Sequence, residues 1–111
     1  NWQFVHEIDK ACQLKNDRQI IRIDAYDVPG CFDRIAALAN EVGASQTIFA
    51  PFGPKAHSLA MCLYANNFGC DVYYTQPKHY HPRYSEGIRR TASGKPETFA
   101  YTLKLSGRTL Y

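Results

Sequence analysis

Phe52-Gly-Pro-Lys55 is a tight turn with one cation placed where a helix is about to begin. The first N–H groups of a helix have no partner within it, and the helix dipole adds positive charge there. An anion fits that position; a glycine lets it approach the backbone, and a lysine supplies a mobile charge. Gly53 and Lys55 are therefore candidate ligand-binding residues. The plain alternative for Lys55 is a solvated lysine at a helix start. A second group lies downstream, in Pro77-Lys-His-Tyr-His-Pro-Arg-Tyr-Ser-Glu-Gly87 and the arginine pair that follows it. Lys78, His79, Tyr80, Arg83, Tyr84, Arg89 and Arg90 mix cations with aromatic rings. That combination suits a nucleotide or single-stranded nucleic acid, since cations hold phosphates while rings stack on bases. The string also reads as a loop that packs its tyrosines over a sheet end and leaves its charges in water.

Other chemistries find less support. His79 and His81 lie two apart, but no third ligand is visible, and the sequence implies no metal site. Ser58 and Ser85 stand outside any GxSxG elbow, and Cys31 and Cys62 fall in apolar, core-like patterns. Gly53-Pro-Lys-Ala56 lacks the upstream glycine and the following hydroxyl of a Walker A loop, and there is no GxGxxG. Asp24 and Asp27 are the best acid candidates, although such residues more often cap the following helix. No catalytic residue is assigned and no cofactor is implied.

Three strands and two helices position these residues. Residues 1–15 place Val5, Ile8 and Cys12 at helical spacing, with Trp2 and Phe4 nearby. Gln19 to Tyr26 predicts a strand, with Ile21, Ile23 and Ala25 on one face. Asp27-Val-Pro-Gly30 breaks it, and a helix follows from Cys31 to Val42, stopped by Gly43. Ser45 to Ala50 is the second strand. Ala56, Leu59, Ala60 and Leu63 mark the next helix, which ends at Asn66-Asn67 and Gly69. Cys70 to Thr75 is the third strand, and residues 77–96 read as a long loop. Thr98 to Leu105 alternates, with Phe99, Tyr101, Leu103 and Leu105 on one side, and predicts a C-terminal edge strand. The order implies right-handed crossovers and a three-layer, Rossmann-like α/β domain with a mainly parallel sheet. Its expected core is Ile21, Ile23, Ile35, Leu38, Ile48, Phe49, Leu59, Leu63, Val72 and Tyr74. In such a sheet ligands bind beyond the carboxyl ends of the strands, which is where both candidate groups fall.

The 111 residues suit one domain, with 45 % hydrophobic and 21 % charged residues in the globular range. The start at Asn1, without an initiator Met, suggests a fragment of a larger protein or a processed chain. No apolar run is long enough to cross a membrane, so a soluble chain without a membrane partner is expected. Four scattered cysteines without CxxC spacing favour a reducing compartment, by default the cytoplasm. Between Lys78 and Lys95 five basic residues face one acid, Glu86, a local +4 within a chain of net charge +3. A concentrated basic segment of this kind suggests an anionic partner.

Ala50-Pro-Phe-Gly-Pro-Lys55, the helical stretch Ala56 to Ala65 and the strand up to Tyr74 resemble the signature of CRISPR-associated Rossmann-fold (CARF) sensor domains of prokaryotic antiviral defence. The resemblance covers Thr47 to Tyr74. Pro54 stands where that family usually carries a hydroxyl residue, and Pro51-Phe52 replaces a more polar lead-in. The resemblance implies cyclic or linear oligonucleotide messengers bound across a homodimer, with phosphates at the turn. The expected function is a nucleotide- or oligonucleotide-sensing regulatory domain. The alternatives are an enzyme acting on nucleotides or nucleic acid, with Asp24 or Asp27 in the cleft, and a structural assembly module.

Overall fold

The computed structural model describes residues 7, 10, 11, 20–74, 76, 78, 79 and 88–111. Of the predicted opening helix, Glu7, Lys10 and Ala11 are helical. Trp2, Phe4, Val5, Ile8 and Cys12 lie outside the described residues.

Helix α1 spans Val28–Val42. Asp27 starts it: the carboxylate Oδ1 accepts the Gly30 N–H at 2.9 Å, satisfying one of the orphan donors of the first turn. Pro29 occupies that turn, where its missing N–H costs nothing. A Cβ at position 30 would meet the Asp27 carboxylate, so a side chain there would displace the cap. The helix therefore begins three residues before the predicted Cys31, because Asp27 rather than Gly30 sets the boundary. It ends at Gly43, whose φ of 91° favours glycine. A short 3₁₀ turn, Ala44–Gln46, leads into strand β1, Ile48–Phe49.

Helix α2 spans Lys55–Phe68 and stops at Gly69, a left-handed residue whose N–H donates to the Ala65 carbonyl at 2.8 Å. Strand β2, Asp71–Val72, pairs with β1 in parallel, Ile48 opposite Asp71 and Phe49 opposite Val72. The Tyr73 N–H extends the ladder to the Phe49 carbonyl at 2.8 Å. β1, α2 and β2 thus make a β-α-β unit, with both carboxyl ends on the same side.

The core lies between the helices. Val28, Cys31, Ile35 and Ala39 recur at i, i+3, i+7 and i+11 along α1 and face Ala56, Ala60, Tyr64 and Ala65 of α2, with Phe49 from β1. Alanines at the contact let the two backbones approach closely. Tyr64, 1 % exposed, fills the space they leave. Its ring meets Phe32, Phe49 and Phe68 at centroid distances of 5.7, 5.8 and 4.4 Å, and Tyr111 folds back onto Phe32 at 5.3 Å.

Of the expected core, Ile35 and Phe49 are buried, and Ile23, Leu59 and Leu63 pack against the core from partly buried positions. Ile48, Val72 and Tyr74 are exposed instead. The pleat turns Phe49 inward and Ile48 outward, so an apolar run does not ensure burial of both faces. Cys62 is also exposed, against its core-like pattern.

Residues 20–26, expected in the first strand, form no ladder among the described residues and run into a turn at Ala25–Tyr26. Within the predicted long loop, residues 89–97 make a hairpin. Arg90 bridges Pro96, the Thr91 N–H donates to the Lys95 carbonyl at 2.9 Å, and Gly94 takes a φ of 79° in the loop. The C-terminal strand is reduced to β3, Lys104–Leu105, which pairs antiparallel with β4, Arg108–Thr109. Ser106 and Gly107 connect them with φ values of 50° and 78°, both positive as a two-residue I′ turn demands. The described chain is thus a mixed α/β structure with one parallel and one antiparallel pair. Among the described residues, no helix is long and apolar enough to cross a membrane.

Cys31 gives this packing a pH signature. Burial, and then the nearby Asp27 carboxylate, push its thiol above the ordinary value. The folded thiol ionises later than the unfolded one, so its contribution is complete below the unfolded pKa. It is lost as pH rises through the folded value. Urea titrations from neutral to alkaline pH are expected to show stability falling less steeply in Cys31→Ala than in the wild type. Equal slopes would remove Cys31 as the cause.

Candidate anion-binding site

The turn after β1 differs from the start of α1 in one respect. Pro54, which precedes α2, has no side-chain acceptor, and the first turn of α2 contains no acid. Lys55 opens the helix and is exposed, and its side chain makes no hydrogen bond or ion pair among the described residues. Where α1 has a carboxylate on its orphan donors, α2 presents uncapped N–H groups beside a cation. Lysine there opposes the dipole, an unfavourable arrangement that an anion would relieve. Gly53 is exposed and its φ is not positive, so the glycine is not forced by conformation. A Cβ there would meet only His57 Nδ1, at 3.9 Å. What glycine supplies is an open backbone.

His57, which sequence reasoning did not single out, locks this turn to the segment before α1. Its Nε2 lies 2.7 Å from the Asp24 carbonyl oxygen. A carbonyl only accepts, so Nε2 carries the proton and donates. Asp24 in turn folds its own loop: Oδ1 accepts the Tyr26 N–H at 2.8 Å. Both acid candidates therefore engage backbone donors, Asp24 in an Asx turn and Asp27 in a helix cap.

Tyr26 carries the connection on to the basic hairpin. Phe99 stacks on its ring at 4.4 Å and 10°, and the Tyr101 hydroxyl donates to its carbonyl. The Arg89 guanidinium stands 5.5 Å from the ring centroid and donates to the Tyr26 hydroxyl at 3.3 Å. Arg89 also pairs with Glu97 across the hairpin at 2.6 Å. The bond to Tyr26, followed by the Glu97 charge, raises its already high pKa. Arg90 donates to the Gly94 carbonyl at 2.7 Å and closes the hairpin tip. The two arginines thus serve the hairpin, and the Arg89 charge is already compensated.

Of the candidate residues, Gly53 and Lys55 share the turn, and the 89–97 hairpin joins them through Tyr26, Asp24 and His57. Lys78 and His79 follow β2 and are exposed. Tyr80, Arg83 and Tyr84 lie outside the described residues. Among the described residues no group of three or more His, Cys, Asp or Glu could hold a metal ion. The Tyr26–Phe99–Arg89 cluster has no sequence signal, because Tyr26 lies more than sixty positions from both Arg89 and Phe99 and shares no local pattern with them. No protein-family model, curated protein or solved structure matches the chain.

Proposed function

We propose that this chain is a nucleotide- or oligonucleotide-sensing regulatory domain that binds the ligand phosphate at the Gly53–Lys55 turn. The observation that carries this reading is the uncapped start of α2 at the carboxyl end of a parallel strand, with a lysine that is unpaired among the described residues. The β-α-β unit is the part of a three-layer Rossmann-like domain to which the resemblance to CARF sensors applies. On that reading the domain works in the cytoplasm, as a homodimer in a prokaryotic defence protein. Lys78, exposed after β2, supplies a further phosphate contact. An enzyme would need a free carboxylate beside Lys55, and the nearby Asp24 and Asp27 carboxylates are already engaged.

Titration with a nucleoside triphosphate and with a short single-stranded oligonucleotide, over a range of salt, tests the proposal. Lys55→Ala is expected to weaken binding about ten- to a hundredfold, the loss of one charge-assisted hydrogen bond, and to flatten the salt dependence. The variant should unfold at or slightly above the wild-type temperature, since an exposed lysine makes few contacts and this one opposes the helix dipole. Equal affinity at low salt, with both proteins folded, removes Lys55 from the site. Absence of binding in the wild type overturns the sensor reading.

A further inference from the structure

The tip of the 89–97 hairpin brings cations and hydroxyls together in open solvent. Its sequence is Arg89-Arg-Thr-Ala-Ser-Gly-Lys95, and residues 88–96 contain three cations and no acid. The Gly94 N–H donates to the Thr91 carbonyl at 2.9 Å, so Ala92 and Ser93 are the central residues of a β-turn, and both are exposed. The two hydroxyls have different roles. Thr91 Oγ1 donates to the Lys95 carbonyl at 3.3 Å and helps close the hairpin, which leaves Ser93 Oγ to donate to Thr91 Oγ1 at 2.9 Å. The Arg90 guanidinium reaches across the tip to the Gly94 carbonyl, 2.7 Å away, on the residue next to Ser93. Arg89 is compensated by Glu97, whereas Arg90 faces a neutral carbonyl.

We infer that Ser93 is a phosphorylation site for a protein kinase that selects arginine three residues before its target, and that Arg90 holds the phosphate once it is attached. The inference is independent of the anion site at Lys55. Kinases discriminate substrates by charge pattern, and Arg90 and Arg89 stand three and four residues before Ser93. Thr91 has the same arginines one and two residues before it and already closes the hairpin. A kinase takes its target segment extended, so the tip must open. One isolated bridge, Arg90 to Pro96, marks the ladder here, and a hairpin this short is marginal by itself.

In the transfer, Ser93 Oγ attacks the γ-phosphorus of a nucleoside triphosphate. An Oγ–P bond forms as the bond to the β-phosphate oxygen breaks, the diphosphate departs, and the serine proton passes to the kinase's carboxylate base. The product carries about −1.5 to −2 at neutral pH, enough to cancel half or more of the charge of the tip. Arg90 then exchanges a neutral carbonyl for charge-assisted bonds to phosphate oxygens, which are roughly twice as strong. Modification therefore orders the hairpin and discharges it in one step.

The test incubates the full chain with magnesium ATP and a purified serine/threonine kinase of that selectivity, then maps the phosphate by mass spectrometry. One phosphate on Ser93 is expected, absent in Ser93→Ala and added about ten- to a hundredfold more slowly to Arg90→Gln. No incorporation, a phosphate on Thr91 instead, or an undiminished rate in Arg90→Gln overturns the site. Phosphorus NMR then reads the contact in the phosphorylated chain. The phosphate should titrate below its ordinary second pKa of about 6, and closer to it in Arg90→Gln phosphorylated by prolonged incubation. Identical titration in the two chains overturns the role of Arg90.

Discussion

Tyr64→Ala is expected to destabilise the fold by about 3–5 kcal/mol, the cost of removing a large buried aromatic side chain. Small domains have only roughly 5–15 kcal/mol of stability in total, so the variant should unfold at much lower urea or not fold at all. Tyr64 joins α2 to α1 through Phe32, to β1 through Phe49 and to the end of its own helix through Phe68. The other buried positions of its own helix are alanines, Ala56, Ala60 and Ala65, too small to fill the gap. Aromatic pairs of this geometry add about 0.5–1.5 kcal/mol beyond area burial, and truncation removes three at once. Tyr64→Phe retains the ring and should recover most of the loss. A urea midpoint for Tyr64→Ala close to that of the wild type would show that the ring does not organise the core.

The elements that came through from sequence are those with strong local chemistry. α2 was legible because Ala56, Leu59, Ala60 and Leu63 mark a helical stripe bounded by Pro54 and Gly69, and the helix runs over Lys55–Phe68. Ile35 was legible as core for the same reason of periodicity, whereas Phe49 was expected inside together with Ile48, which is exposed. The strand over residues 19–26 was not realised as a ladder in the part described, because apolar alternation does not provide a partner. Ile48 and Val72 read as interior because β-branched runs are normal in sheets covered on both faces. Here the parallel ladder is two residues long in each strand. At the candidate site the turn and its lysine could be read directly from Phe52-Gly-Pro-Lys55. Arg89 could not: it was read as a phosphate ligand, and only the fold brings Glu97 and Tyr26 to it.

Lys55→Glu should move stability and binding in opposite directions, which separates a functional lysine from a structural one. An acid in the first turn of α2 would meet the positive end of the dipole where a cation now opposes it. The fold is expected to gain about 0.3–1 kcal/mol. Pro54 provides no side-chain cap and the first turn has no other acid, so nothing already present duplicates that effect. Nucleotide binding should fall by more than the ten- to hundredfold expected for Lys55→Ala, because attraction is replaced by repulsion at the same point. Denaturation and binding isotherms measured on one preparation read both outcomes. A gain in stability with affinity unchanged would make Lys55 an ordinary surface residue. A loss of both would mean that its side chain supports the turn, since neither dipole relief nor phosphate binding produces that pair of results. Higher stability with lost affinity is the signature of a residue held in an unfavourable position by the ligand it serves.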